Sequence, residues 1–126
     1  GLTMKDPELD VLLDELETRT DLTVADFDGV ARGLAFLLPE VAGSEQNLAE
    51  RIGTTDTAMH IADQAFPNWA VHIHGRANDK DGHWRCTLRE TDGRDNDAAI
   101  GSGRSPVLSQ AILAATMRLA MIVKQD

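Results

Sequence analysis

The sequence is poor in cysteine and in aromatic residues, with one Cys, no Tyr, two Trp and three Phe. A single cysteine cannot form an intrachain disulfide, so nothing in the chain requires an oxidising compartment. No secretory signal peptide is visible at the start, and we expect a cytoplasmic protein. The core must therefore consist mainly of Leu, Ala, Val, Ile and Met, with the two tryptophans as its largest side chains.

The sequence also lacks a run of basic residues, and its charge is unevenly distributed. Residues 1–66 hold 14 acidic and 4 basic residues, a net charge of −10, and residues 67–126 hold 7 acidic and 8 basic residues, a net charge of +1. The total of −9 disfavours binding to nucleic acids or to anionic membranes.

Apolar residues at helical spacing predict helices in the first half of the chain, over 6–19, 24–38, 45–52 (short and weak) and 56–65. Thr23 and Asp26 have the spacing of a capping box, and Thr55 is expected to cap the helix that follows it. Pro39 should end the second helix, because proline disfavours the helical conformation of the residue before it.

Strict alternation of polar and apolar residues predicts a β-hairpin in the second half. Strands over 69–76 and 83–89 flank a polar loop that contains Gly82, and a short third strand is predicted over 97–101. The hairpin should present one apolar face, formed by Trp69, Val71, Ile73, Trp84, Cys86 and Leu88.

One long apolar helix is predicted over 105–123, with Ser105 as its N-cap and Pro106 at its first position. Its apolar residues cover more than one face, so it should pack on the sheet and also against another helix or another subunit. On this basis we expect a homodimer or another protein partner. Polar residues such as Gln110 and Arg118 interrupt the apolar run and argue against a membrane span.

These elements predict a single α+β domain over 1–126 with a three-stranded antiparallel sheet, a long C-terminal helix and N-terminal helices packed around it. The element order is α-α-α-β-β-β-α, not counting the short helix over 45–52. Residues 1–53 form a helical N-terminal part, and 54–126 form an α-β-β-β-α core.

Several motifs occur together along the chain. Leu12-Leu13-x-x-Leu16-Glu17 precedes Asp26-Phe27-Asp28, Thr54 to Trp69 form a capped helix and turn, and Ser105-Pro106 precedes an Ala-rich helix. This set resembles the phage-type α/β/α sandwich domain, a family of unknown function in small proteins of prophages and of rhizobial and related bacterial genomes. The similarity covers most of the chain apart from 39–53. It implies an accessory protein and supplies no catalytic residues.

The segment Gly101-Ser102-Gly103-Arg104-Ser105 before the Ala-rich helix is similar to the last turn and helix of the double-stranded RNA-binding domain. That family also has the order α-β-β-β-α, but its grip on RNA depends on consecutive lysines at the start of the helix. Pro106, Val107 and Leu108 occupy those places here. The resemblance therefore implies shared topology, with nucleic-acid binding as an alternative function.

The polar side of the predicted hairpin is cationic and is the candidate ligand or partner face: His72, His74, Arg76, His83, Arg85 and Arg89. Like charges on neighbouring strands repel, so we predict that the acidic N-terminal half covers this face. The histidines could bind zinc with Asp79, Asp81 or Glu90, but no zinc-binding motif accompanies them. We predict no metal and no cofactor.

A second candidate site is the predicted turn before the last helix, formed by Ser102, Gly103, Arg104 and Ser105, which could bind an anion. It lacks the Gly-Lys-Ser/Thr of a nucleotide-binding loop. Cys86 is predicted to be a core residue rather than a nucleophile. We therefore predict a non-catalytic accessory or interaction protein. The alternatives are a nucleic-acid-binding module and a small-molecule or metal-binding protein that uses the His/Arg face.

Overall fold

The computed structural model describes residues 6–43, 47–75, 83–90 and 99–124. The elements in chain order are α1 Asp6–Thr18, α2 Val24–Leu37, α3 Leu48–Arg51, α4 Thr55–Ala65, β1 Ala70–His74, β2 Trp84–Arg89, β3 Ile100–Ser105 and α5 Leu108–Lys124. The predicted α+β fold is confirmed, because N-terminal helices precede an antiparallel sheet of order β1-β2-β3 and the long last helix packs on that sheet. None of the described helices has the length and apolarity that a membrane crossing requires.

Most of the other elements pack around α5. This helix packs against β3 and β2 on one side and against α4, α1 and α2 on its other sides. Between Ser109 and Ala120 every side chain is buried except that of Arg118, which is half-buried. The apolar residues in excess of one helix face are thus covered within the chain. The reason for expecting a homodimer through this helix falls away, and the homodimer itself stays a prediction.

Two glycines allow α5 to lie directly on β3. A Cβ atom at Gly103 would lie 2.5 Å from the backbone oxygen of Ala111 and 2.5 Å from the backbone nitrogen of Ala115. A Cβ atom at Gly101 would lie 2.5 Å from Leu119 Cβ and 2.6 Å from the backbone oxygen of Ala115. The helix backbone therefore occupies the space that side chains on this strand would fill.

The glycines also explain why the predicted third strand ends too early. β3 continues to Ser105, whereas the sequence predicts a turn after residue 101. In the strand, Gly101 and Gly103 are buried against α5, while Ser102 and Arg104, which alternate with them, are exposed. Glycine is favoured here because it has no side chain, which is also why it is common in turns, and composition alone does not separate the two cases.

β1 is an edge strand whose apolar side is only partly covered. Val71 pairs with Leu88 and Ile73 with Cys86, so both β-branched side chains lie on the α5 side, as predicted. Leu88 and Cys86 are buried, but Val71 is 37% exposed and Ile73 is 39% exposed. The reason is that α5 lies over β3 and β2 and hardly reaches β1. The predicted apolar face of the hairpin therefore exists, but the last helix does not cover it at Val71 and Ile73.

The N-terminal helices are capped as local sequence predicts, with one shift. The N–H of Asp26 donates to Thr23 Oγ1 at 3.3 Å, and the N–H of Thr23 donates to Asp26 Oδ2 at 3.0 Å, which completes the capping box. In α4 the cap is Thr54 rather than Thr55, because Thr54 Oγ1 accepts the N–H of Thr57 at 3.3 Å. This helix therefore begins at Thr55.

Buried polar side chains of α5 connect it to distant parts of the chain. Gln110 Nε2 donates to the carbonyl oxygens of Leu16, at 2.9 Å, and Arg19, at 2.6 Å. Ser109 Oγ donates to the carbonyl oxygen of Gly53 at 2.8 Å, just before α4. The last carbonyl groups of a helix have no partner within it, so Gln110 supplies donors that the end of α1 needs.

Candidate functional site

The side of the sheet turned away from α5 carries nine side chains in three rows across the strands, and we call it the outer face. The rows are Ala70, Arg89 and Ile100; His72, Thr87 and Ser102; and His74, Arg85 and Arg104. At usual strand spacings this face measures about 10 Å across the strands and about 14 Å along them. It holds three arginines and two histidines and no carboxylate.

The outer face is open and its charges are close together. His74, Arg85, Ile100, Ser102 and Arg104 are exposed, and the other four side chains are half-buried. Arg85 lies directly opposite Arg104 in the strand register, where like charges repel. Arg85 also forms no ion pair with any residue in the described ranges. The fold thus keeps a concentrated positive charge on a chain whose net charge is −9.

Four of the six residues predicted to form a partner face share the outer face: His72, His74, Arg85 and Arg89. His83 is exposed and precedes β2, and Arg76 lies outside the described residues. Sequence reasoning missed the position of Arg104, because it assigned this residue to a turn. The alternation of Ser102 and Arg104 with Gly101 and Gly103 is the signal that could have placed Arg104 on a strand.

The N-terminal helices do not cover the outer face, contrary to the prediction. Within the described ranges α1, α2 and α4 pack against α5, on the opposite side of the sheet. Covering the apolar surface of α5 contributes about 25 cal/mol for each Å². Pairing exposed charges contributes only about 0–1 kcal/mol for each pair. The apolar stripes of these helices therefore decide where they pack.

An ion pair closes the free edge of β3. Arg118 donates to both carboxylate oxygens of Glu17, each at 2.7 Å. Glu17 Oε2 also accepts the backbone N–H of Arg104 at 3.1 Å, and Arg118 donates to the carbonyl oxygen of Ser102 at 2.8 Å. Two backbone groups that a neighbouring strand would bind are thus already used. The sheet ends here.

The same contacts control the pKa of Glu17. Burial by itself raises the pKa of this carboxyl, but the hydrogen bonds from Arg118 and from the Arg104 N–H, with the charges of both residues, outweigh burial and lower the pKa below its ordinary value. Because the pKa is lowered by folding, the ionised carboxylate stabilises the protein above the ordinary pKa of glutamate. This contribution is lost as the pH falls through the lowered pKa.

The substitution Glu17→Gln should remove this acid-dependent stability. We expect the free energy of unfolding at pH 7 to fall by about 1–2 kcal/mol, since Arg118 is partly exposed and can turn to water. The difference from the wild type should shrink as the pH falls below the ordinary pKa of a glutamate, because the native carboxylate is protonated as the pH passes through its lowered pKa. Urea unfolding at several pH values measures this. Glu40→Gln, in an exposed turn, is the matched control, and equal losses in both variants would show that the edge contact contributes nothing.

The predicted anion-binding turn is wrong as a turn. All four of its residues belong to β3: Ser102, Gly103, Arg104 and Ser105. Ser105 Oγ accepts the N–H of Val107 at 3.1 Å, and the helix begins at Leu108 rather than at Pro106. Only Pro106 and Val107 connect the strand to the helix, so no loop is left there to surround an anion.

The described residues contain no group of three or more His, Cys, Asp or Glu side chains placed to hold a metal ion. Asp79 and Asp81, which could complete a zinc site, lie outside the described ranges. Burial raises the pKa of the Cys86 thiol to about 11, so the thiol is protonated at neutral pH and is a poor nucleophile. Cys86 is a core residue, as predicted.

Among the described residues, two shallow grooves open on the helical side of the protein. A groove of about 470 Å³ lies between α1 and α5, with acidic side chains of α1 on one wall and Arg118 on the other. A groove of about 500 Å³ follows α2 and α3, and its lining includes five alanines. Neither lining includes a serine, cysteine or histidine, so neither brings a nucleophile together with a base as an acyl-transfer or hydrolytic site would.

No protein-family model, no curated protein and no solved structure matches the chain. The resemblance to the phage-type α/β/α sandwich domain therefore stays a prediction. The outer face is the strongest chemical feature of the described surface.

Proposed function

We propose that this is a non-catalytic interaction protein that binds an acidic segment of another protein through its outer face. The observation that carries this proposal is the exposed row of His74, Arg85 and Arg104, on a face that also carries Arg89 and His72 and belongs to a chain of net charge −9. Natural proteins accept locally unfavourable arrangements mainly at functional sites. A compact positive face on an acidic protein is such an arrangement.

The geometry of the face suits carboxylates. All three of its fully charged side chains are arginines, whose planar guanidinium groups bind carboxylates through two parallel hydrogen bonds. Successive side chains on one side of a strand are about 6.8 Å apart. An extended acidic peptide has the same repeat, so its carboxylates can match successive rows of the outer face.

Nucleic acid is the weaker occupant for two reasons. Sheets that bind single strands stack the bases on aromatic side chains, but no Trp or Phe lies on the outer face and the two tryptophans are half-buried elsewhere. A long phosphate backbone would also extend beyond the face towards acidic surface, where it is repelled. A short acidic segment stays within about one Debye length, about 8–10 Å, of the positive charges.

The proposal is tested with a fluorescent peptide of alternating Glu and Ser in a low-salt anisotropy titration. Arg85→Gln should weaken binding about threefold, and the double variant Arg85→Gln with Arg104→Gln about tenfold, since each exposed charge contributes up to about 1 kcal/mol. Arg32→Gln, an exposed arginine on α2 paired with Asp28, is the matched control with the same change in net charge.

Nucleic acids are the competing ligands for the outer face, and they are tested in the same titration. A single-stranded DNA and a duplex RNA with the same number of charges are titrated in parallel. Oligonucleotide binding that is tighter than peptide binding and is lost in the Arg85 variant would replace this proposal with the nucleic-acid alternative. Peptide binding that is equal in the Arg85 and Arg32 variants would also overturn it, because the charge would then act through the whole molecule rather than through the outer face.

A further inference from the structure

The two edges of the sheet differ in whether another strand can be added. The edge of β3 is closed by Glu17 and Arg118, which bind its outward N–H and C=O groups. β1 pairs with β2 and with no described strand on its other side. Every second residue of an edge strand directs its N–H and C=O away from the sheet. Of the two edges, β1 is therefore the place for strand addition.

On the α5 side, β1 carries an unfinished apolar surface. Val71 continues the buried row of Leu88, and Ile73 continues the buried row of Cys86, yet both β-branched side chains are exposed. A strand paired with β1 would place every second side chain beside them. Apolar residues at those positions would cover Val71 and Ile73 and would form favourable cross-strand pairs.

On the outer side, the same added strand would extend the cationic rows. His74 ends the row that contains Arg85 and Arg104, so the alternate side chains of a fourth strand would lie beside this row. Carboxylates complement it, whereas a second copy of β1 would bring His72 and His74 instead. The charges therefore favour a different, acidic chain over a second copy of this one.

We propose that β1 accepts an extended segment of a partner protein in which acidic and apolar residues alternate. The acidic side chains lie on the outer face, and the apolar side chains pack against Val71 and Ile73. Backbone hydrogen bonds along the edge supply sequence-independent affinity, and the two sets of side chains fix the register. This inference rests on the proposed function and adds to it the conformation and the apolar half of the partner.

Peptides of identical composition test the conformation. The first is an alternating Glu/Val peptide of about seven residues, close to the length of one strand. The second has the same residues in two blocks, with all Glu before all Val. Two further peptides have the alternating sequence with every second backbone nitrogen methylated, one starting at the first residue and the other at the second. In one of these two phases the methyl groups replace the N–H donors that would bind β1. We expect the alternating peptide to bind at least about tenfold more tightly than the block peptide and the weaker methylated phase.

Variants of the protein test the surface. The double variant Val71→Thr with Ile73→Thr should reduce binding of the alternating Glu/Val peptide about fivefold and leave binding of the Glu/Ser peptide unchanged. Val11→Thr, an exposed valine on α1, is the matched control. Amide hydrogen exchange over residues 70–74 should slow when the alternating peptide is bound. Because Val71 and Ile73 are exposed, the variants are expected to fold, and their melting curves verify this.

The results that would overturn strand addition differ from those that would overturn the acidic-partner proposal. Equal binding of alternating and block peptides, with continued dependence on Arg85, would overturn strand addition and leave the acidic-partner proposal standing. Absence of binding by every acidic peptide would overturn both. Sedimentation that shows a dimer dispersed by the alternating peptide would make a second copy the natural occupant of β1, and this also overturns the inference.

Discussion

Replacing Gly103 with alanine is expected to lower the free energy of unfolding by about 3 kcal/mol, at the upper end of the usual cost of overpacking a core. The added methyl group would lie 2.5 Å from backbone atoms of Ala111 and Ala115. Real carbon atoms do not approach that closely, so the whole of α5 must move away from β3. A flexible side chain could give way at low cost, but a helix backbone that is held on its other sides by α1, α2 and α4 cannot.

The neighbouring residue provides the control for this substitution. Ser102 is exposed on the outer face, and Ser102→Ala adds no atoms on the helix side. We expect its effect on the free energy of unfolding to stay within about 0.5 kcal/mol, as is usual for surface substitutions. Urea unfolding measures both variants. A loss below about 1 kcal/mol for Gly103→Ala would mean that the strand and helix separate easily, and the close approach would then have no energetic importance.

Gln110→Leu should be the second most harmful of these substitutions. Leucine keeps the size and the helical preference of the side chain, but it cannot donate to the carbonyl oxygens of Leu16 and Arg19. Leaving buried acceptors without a partner costs about 1–3 kcal/mol, and we expect a loss of about 2 kcal/mol. The loss should be concentrated in α1, because these two carbonyl groups belong to its C-terminal end.

Hydrogen exchange separates this local effect from general destabilisation. In Gln110→Leu the amides of α1 should exchange faster relative to those of α4 than they do in the wild type. Gln64→Leu, on the exposed side of α4, is the matched control and should change neither the stability nor the exchange pattern by much. A uniform increase of exchange in all helices would argue against a specific role of Gln110 at the end of α1.

Local chemistry made much of the helical part predictable. Thr23 and Asp26 form a capping box with each other, and their contact depends only on the four-residue segment from Thr23 to Asp26. The alternation from Trp84 to Leu88 likewise placed Cys86 in the core and Arg85 on the outer face. Such features depend on residues close in sequence, so they can be read without knowing the fold.

The errors arose where one element depends on a distant one. Whether Val71 and Ile73 are covered depends on how far α5 extends across the sheet, and no pattern within β1 reports this. The assignment of Gly103 to a turn failed for the same reason. Glycine is needed in this strand because the backbone of Ala111 and Ala115 lies against it, and these residues belong to another element. The candidate face was therefore predicted without Arg104. It was also predicted to be covered by the N-terminal helices, which instead pack against α5.

The position of α5 in the described chain has a consequence for biosynthesis. Three helices and two strands of the domain pack directly against this helix, yet a ribosome makes it after all of them. The helices and the hairpin therefore cannot pack against α5 until residues 108–124 have emerged from the ribosome. Isolated helices of their length are marginal in water. Nascent chains halted before residue 108 should be protease-sensitive and should bind chaperones that recognise apolar segments, and this vulnerability should end abruptly once the helix leaves the exit tunnel.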